Sequence, residues 1–368
     1  MPPKYSLCVD ARMYNHSGIG KYLQMLLPYL CKAYDTTLLG DAETLSSLSS
    51  IAQVIPFNSP IYSIDEQRKY KKAAKPADLF WSPHYNVPLM WVKSKRRIAT
   101  IHDVYHLAFY KELSFKQKLY AKVVINAAVK LSDEVITVSG FSKGEIIKYT
   151  GCATQKVNVV YNGVSQAASY NNTQNVRDKY SLPANYILFV GNVKPHKNLK
   201  TLLKAYLLLS SELKQQYKVV IVGKRDGFLT GDEELTHWIK SQPEVQQAIL
   251  FTGYVANEDM DTIYKNASLF VFPSVYEGFG LPPLEAMLNS CPVIAAATSS
   301  LPEVCGDAAL YFNPRNEIEL TNKMTEVLTQ KSVSDGLLTN GLQRIKQFTW
   351  DDCAAKHIEI FNRVIKSV

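Results

Sequence analysis

The sequence predicts an α/β protein made of two doubly wound, Rossmann-like domains facing across a cleft, and three observations carry that prediction. A chain of 368 residues is about twice the length of an ordinary domain. Short apolar runs alternate with amphipathic stretches along its length, which is the pattern of parallel strands covered by helices. The alternation breaks once, from Ser165 to Asn185, where Ser, Asn, Gln and Ala dominate without apolar periodicity, and that stretch reads as a linker. The expected organisation is therefore an N-terminal domain over 1–165, a linker over 166–185, and a C-terminal domain over 186–350. A last amphipathic segment spans 351–368.

The first strand, Tyr5 to Val9, leads through a loop containing Gly18 and Gly20 into an amphipathic helix from about Lys21 to Ala33. Strand, glycine loop and helix in that order open a doubly wound sheet. Further strands are expected at Thr37 to Leu39, Leu79 to Ser82, Arg97 to Ile101, Glu134 to Val138 and Val157 to Val160, with Phe115 to Leu131 helical. Ser142 and Glu145 have capping-box spacing, which starts a helix at Lys143; Ser139 with Ser142 also reads as a helix cap. The second series runs Tyr186 to Gly191, Lys218 to Gly223, Ile249 to Gly253, Leu269 to Phe272, Val293 to Ala296 and Ala309 to Phe312.

Composition narrows the function. A hydrophobic content of 46% with 20% charged residues suits packed domains and argues against long disorder. No run approaches the roughly 20 apolar residues that span a bilayer, and the first residues lack a leader's apolar stretch, so a cytoplasmic protein is expected. Six scattered cysteines form no C-x-x-C pair and read as buried thiols. Asn171-Asn172-Thr173 is a glycosylation sequon with no expected use in that compartment. The net charge of +8 concentrates between Arg68 and Lys130, where fourteen Lys/Arg face Asp78, Asp103 and Glu112. Interleaved with Trp81, Trp91 and several tyrosines, this face suits either an anionic membrane surface or plain solvent. No nucleic-acid motif accompanies it.

The most specific string is Ser274-Val-Tyr-Glu277-Gly-Phe-Gly-Leu-Pro282-Pro-Leu-Glu285, directly after the apolar run Ala267 to Pro273. Gly278 and Gly280 permit close backbone approach, and Pro282 fits a first helical position. Amides of Phe279, Gly280 and Leu281 would sit at the positive end of the new helix, where phosphate binds. Glu277 lies ahead of the helix and Glu285 about one turn inside it, so the two carboxylates flank that end. As bare spacing they also fit solvated charges complementing a helix dipole.

The complete string resembles the donor-binding motif of retaining glycosyltransferases of family 4, which have the GT-B fold. The resemblance extends over essentially the whole chain and is most specific over residues 186–312. It implies transfer of a hexose from a nucleoside diphosphate sugar with retention, without a cofactor or a metal. It also implies that the C-terminal helix returns to the first domain. In Lys194-Pro-His196-Lys197-Asn198, Lys197 matches the family's phosphate-binding lysine. Many members carry an arginine after the strand glycine, where this chain has Asn192; Lys194, Arg225 or Arg12 would then supply the second cation.

Tyr254 and Val255 follow Phe251-Thr-Gly253, a segment similar to the one whose backbone reads the nucleobase, though a plain strand end fits equally. Asp259 and Asp261 form a D-x-D string in what reads as the first turn of a helix, where acids cap rather than ligate metal. His102, after the strand ending at Ile101, matches the family's polar residue against the transferred sugar. Gly18 and Gly20 would let their loop approach the donor diphosphate or the acceptor. Overall likeness to bacterial mannosyltransferases with H-D and P-x-K-N strings favours GDP-mannose as donor, with a UDP-sugar as the alternative. The expected acceptor is a glycan or lipid-linked sugar. An epimerase of the same fold, or a silent sugar-binding relative, remains open.

Overall fold

The computed structural model describes residues 4–109, 115–165, 173–223 and 233–367. The chain divides into two compact units, Met1–Gly163 with Trp350–Val368, and Val164–Thr349. The first unit is built on seven parallel strands in the order β3-β2-β1-β4-β5-β6-β7. They are β1 (Ser6–Asp10), β2 (Asp35–Gly40), β3 (Gln53–Pro56), β4 (Ala77–Ser82), β5 (Ser94–Thr100), β6 (Glu134–Thr137) and β7 (Val157–Val159). Leu7, Cys8 and Val9 of β1 are buried between layers on both faces, as a central parallel strand requires.

One layer is formed by the helix Ser17–Ala33, whose Tyr22, Leu23, Leu26, Leu27 and Leu30 share a core with Trp350, Cys353, Ile360 and Phe361 of the last helix, Trp350–Lys366. The chain's final helix thus completes the first unit's core. Elsewhere on the sheet the helix Phe115–Leu131 lays Ala121, Ile125 and Ala128 against Ala99, Ile101 and Val135.

Three local expectations are corrected here. The first helix begins at Ser17, so Gly18 and Gly20 lie in its first turn and not in a loop. Gly20 needs its missing side chain for an internal reason: a Cβ there would meet the carbonyl oxygen of Tyr14 at 2.6 Å. The cap of the helix Gly140–Thr150 is Ser139, whose hydroxyl accepts from the amide of Ser142 at 3.0 Å, so the helix starts three residues before the capping-box reading. The edge strand β3 was not anticipated. It has only four residues and closes in a proline, which a strand laddered on one side tolerates.

The second unit has six parallel strands in the order β10-β9-β8-β11-β12-β13. They are β8 (Tyr186–Val190), β9 (Lys218–Val222), β10 (Ile249–Gly253), β11 (Leu269–Phe272), β12 (Val293–Ala296) and β13 (Leu310–Phe312). The linker reading is revised: Thr173–Lys179 is a helix. Val176 is buried, and the following turn is tied down where Lys179 Nζ and the Tyr180 hydroxyl both donate to Asp259 Oδ2, at 2.7 and 2.8 Å. Polar composition hid the helix because a buried carboxylate anchors it more than an apolar stripe does. The remainder of the linker through residue 172, with Asn171 and Asn172 of the sequon, lies outside the described residues. The six cysteines are free thiols, five buried and Cys152 half-buried. Among the described residues no helix is long and apolar enough to cross a membrane.

Candidate active site

In the second unit the carboxyl ends of β8 and β11 carry the residues that matter, as open parallel sheets require of a ligand site. Pro195–Lys197 forms a single 3-10 turn, and Asn198 then takes the left-handed conformation (φ +56°) before the helix Leu199–Leu207. Asn198 is suited to that conformation, and its side chain spans two neighbours. Its amide donates to the carbonyls of Pro273, at 3.1 Å, and Pro314, at 2.8 Å. That clamp fixes Lys197 beside the loop that follows β11.

Lys197 Nζ and Glu277 Oε1 are 2.6 Å apart, with about a fifth or less of either side chain exposed. The structure therefore brings together two of the residues singled out from the sequence, although 80 positions separate them. The ammonium also lies 5.5 Å from the centre of the Phe272 ring. The loop itself is held from downstream. Glu277 N donates to Ser299 Oγ at 3.2 Å, while Ser300 Oγ donates to the carbonyls of Glu277 and Phe279 at 3.0 and 2.9 Å. Neither serine was flagged by the sequence reading, and two small hydroxyls in a turn carry no signal of their own.

Gly280 is the N-cap of the helix Leu281–Leu288 at φ +95°, and a Cβ there would press on Leu301 at 2.8 Å. The helix starts at Leu281, one position before the sequence reading, so Pro282 occupies its second position. Phe279 is buried and meets Phe348 edge-on with ring centres 5.7 Å apart. Glu285 lies one turn in, and Oε2 accepts from the buried Tyr264 hydroxyl at 3.0 Å. Burial, then the Glu285 charge, raises the Tyr264 phenol well above its usual range, so it stays a donor that orients the carboxylate. Glu277, Lys197 and the N-terminal end of this helix form one cluster, with Glu285 on the helix behind it.

Other sequence-flagged residues are placed differently. Asn192 and Lys194 are exposed on the loop after β8, and Arg225 lies outside the described residues. Gly253 closes β10 at φ +73°; Tyr254 beyond it is 69% exposed, whereas Val255 is buried. Asp259 sits in the first turn of the helix Asn257–Asn266, but Asp261 is two residues further in, outside that turn. Asp259 binds Lys179 and Tyr180, and Asp261 accepts from Asn289 at 3.0 Å. Both acids work as buried structural anchors.

In the first unit His102 follows β5 and is half-buried. Its Nε2 is 2.9 Å from the carbonyl oxygen of Pro83, which can only accept, so Nε2 carries the proton and Nδ1 the lone pair. Burial lowers the imidazole to about 4, hence neutral at pH 7. Ser142 Oγ donates to the His102 carbonyl at 3.0 Å, and the Tyr22 ring meets the imidazole edge-on at 4.8 Å. Behind Tyr22, its hydroxyl lies 2.5 Å from His357 Nε2. His357 was not flagged; its partners come from the far end of the chain.

Arg12 is corrected as a candidate phosphate cation. Only 4% of its side chain is exposed, and it is spent on Asp10 and Glu66, each at 2.7 Å, on the Ser59 carbonyl, and on the Tyr70 hydroxyl. Burial opposes the Asp10 charge, but Arg12 outweighs it and holds this carboxyl far below the usual range. Such a guanidinium is part of the core.

Comparison with known proteins now decides the family. The description "Glycosyl transferases group 1" matches residues 172–344, and "Glycosyltransferase Family 4" matches residues 16–167. The O-antigen chain mannosyltransferase B of Escherichia coli is 30% identical over 302 residues, covering 80% of this chain and 75% of that protein. The chain is a family 4 glycosyltransferase. The serotype-specific mannosyltransferase WbdA of Escherichia coli is 31% identical over 292 residues, which is 77% of this chain and 35% of WbdA, so this glycosyltransferase spans about a third of that relative. The fold is GT-B. Anabaena HepE, solved in complex with UDP and glucose, superposes with a TM-score of 0.80 over 98% of this chain and 100% of HepE at 18% identity.

Proposed function

We propose that this glycosyltransferase moves a mannosyl residue from GDP-mannose to a lipid-linked or polysaccharide acceptor of a cell-surface glycan, retaining the α configuration. The observation that carries the reading is the Lys197–Glu277 pair at the tip of the helix Leu281–Leu288, in a chain whose relatives include mannosyltransferases named for O-antigen. The reaction breaks the bond between the anomeric carbon and the diphosphate and forms one to an acceptor oxygen. Negative charge grows on the diphosphate as positive charge grows on the sugar ring. Lys197 and the helix end, with Gly280 and Leu281, take the first; Glu277 faces the second and the sugar hydroxyls. Glu285, oriented by Tyr264, takes the ribose diol.

The nucleobase is read along Tyr254 and Val255. His102 offers Nδ1 as an acceptor for a hydroxyl of the transferred sugar. The acceptor's proton passes to the departing phosphate on the same face, so no protein base is assigned. A metal is not needed in this reading, because the cation and the helix dipole meet the leaving charge. The basic surface between Arg68 and Lys130, with Met90 and Trp91 more than half exposed, supports peripheral binding to an anionic membrane on its cytoplasmic side.

Thermal shifts against GDP-, UDP-, dTDP- and ADP-sugars test the donor, with the largest shift expected for GDP-mannose. Nucleotide release that requires acceptor, with an α-linked product by NMR, supports the reaction. Donor interconversion without acceptor would identify an epimerase instead, and a β-linked product would rule out retention. Vesicles containing anionic lipid should retain the protein at low salt; failure to do so removes the membrane part.

A further inference from the structure

The first unit holds a pocket of about 360 Å³ outside the carboxyl ends of β1, β2 and β3. Each strand supplies its rim through the residues that follow it: Arg12 after β1, Asp41 after β2, and Phe57 and Asn58 after β3. The volume lies at the low end for small-molecule pockets, about 300–1,000 Å³, which suits a single sugar ring.

Charge decides the ligand class. Among the described lining residues Arg12 is the only Lys or Arg, and it is already paired with Asp10 and Glu66. With Asp41 at the rim, one cation stands against three carboxylates, so phosphates and other anions are repelled. Asp41 accepts the Thr44 amide at 2.8 Å on one oxygen, and His16 makes no side-chain bond to the helix end that it precedes. Asp41, His16 and the exposed Asn58 offer hydroxyl-recognising groups, while Pro60 and Ile61 offer apolar surface for the C–H face of a pyranose, above a floor formed by the buried Phe57. Mixed linings of this kind recognise neutral polyols.

Position decides which sugar. In the order β3-β2-β1-β4-β5 the pocket is centred on β2, three strand steps from β5, whose end carries His102. Neighbouring strands lie about 4.8 Å apart, so the separation is roughly 14 Å, which a linear glycan covers with about three sugar rings. We propose that this pocket is a distal acceptor subsite, which holds a neutral sugar ring about three residues behind the acceptor hydroxyl that receives the new bond. The proposal rests on the glycosyl-transfer reading and on His102 marking the point of transfer.

The test uses GDP-mannose and fluorescently tagged, α-linked manno-oligosaccharides of one to five sugars, with wild type and Asn58→Trp, a rim substitution that fills the pocket. Wild-type kcat/KM should rise about tenfold between the two- and four-sugar acceptors, a gain of about 1.4 kcal/mol. Asn58→Trp should abolish the rise while the one-sugar acceptor changes less than about twofold. Saturation-transfer NMR of the tetrasaccharide without donor should show binding that Asn58→Trp removes and Glu277→Ala keeps. Transfer without length dependence, or with the same dependence in Asn58→Trp, overturns the subsite and leaves the transfer reading standing. Pocket-dependent binding without transfer to any acceptor from GDP-mannose, or from UDP-, dTDP- and ADP-sugars offered in its place, overturns the transfer reading and leaves a sugar pocket.

Discussion

Two ion pairs of similar chemistry do opposite work in this molecule. Arg12, in the first unit, is sealed with Asp10 and Glu66 at 4% exposure, and every carboxylate around it is answered by a donor within the core. Lys197, in the second unit, meets Glu277 at 2.6 Å on a loop, with 19% of its side chain open. The first pair is saturated by partners within the core, with no charge left over for an anionic ligand, and holds β1 to the helix Ile64–Ala73. The second stands just ahead of the helix Leu281–Leu288, where, in the proposed reaction, a diphosphate replaces the carboxylate as partner. A cation after a strand end is therefore a site only if its partner can be exchanged.

Substitutions sharpen that contrast. Arg12→Ala strands two buried carboxylates and should cost about 3–5 kcal/mol in chemical denaturation. Loss below about 1 kcal/mol would show the cluster to be solvated. Next in size is a pH effect. Burial, partly offset by the Cys353 carbonyl, lowers His357 to about 4 from 6.5, so it is neutral in the fold. The unfolded chain then binds more protons between about pH 6.5 and 4. Stability should be full above that window, fall as pH drops through it, and level off below, by about 3 kcal/mol for this group. His357→Gln should remove one proton's worth of the slope. His102, lowered in the same way, adds to it.

Gly20→Ala should cost about 1–3 kcal/mol, because the new methyl collides with the Tyr14 carbonyl inside the first helical turn. A neutral effect would mean that the turn yields, and would reopen a loop role for Gly18 and Gly20. Smallest in stability is Lys197→Met, expected within about 1 kcal/mol of wild type, since a partly open pair contributes little to folding.

The same contrast explains what the sequence could show. The strands β8 to β12 were visible because fully buried parallel strands are apolar runs, and the string from Ser274 to Glu285 was visible because its glycines, prolines and glutamates are contiguous. Lys197 was placed by resemblance, and the structure sets its ammonium 2.6 Å from Glu277. The fate of Arg12 was not legible, because Glu66 and Tyr70 lie 54 and 58 residues away and nothing local marks them as its partners. Ser299, Ser300 and His357 were missed for the same reason. Edge strand β3 and the helix at Thr173–Lys179 escaped because one is too short and the other too polar for periodicity to register.

In the proposed reaction Lys197 and Glu277 stabilise the opposite charges that develop on the leaving diphosphate and on the sugar ring. The most direct test of these roles is steady-state turnover of Lys197→Ala and Glu277→Ala with GDP-mannose and acceptor, alongside their melting curves. Each variant should lose at least about tenfold in kcat, the scale for removing one electrostatic stabiliser, while melting close to wild type. Near-normal turnover in both folded variants would contradict the account.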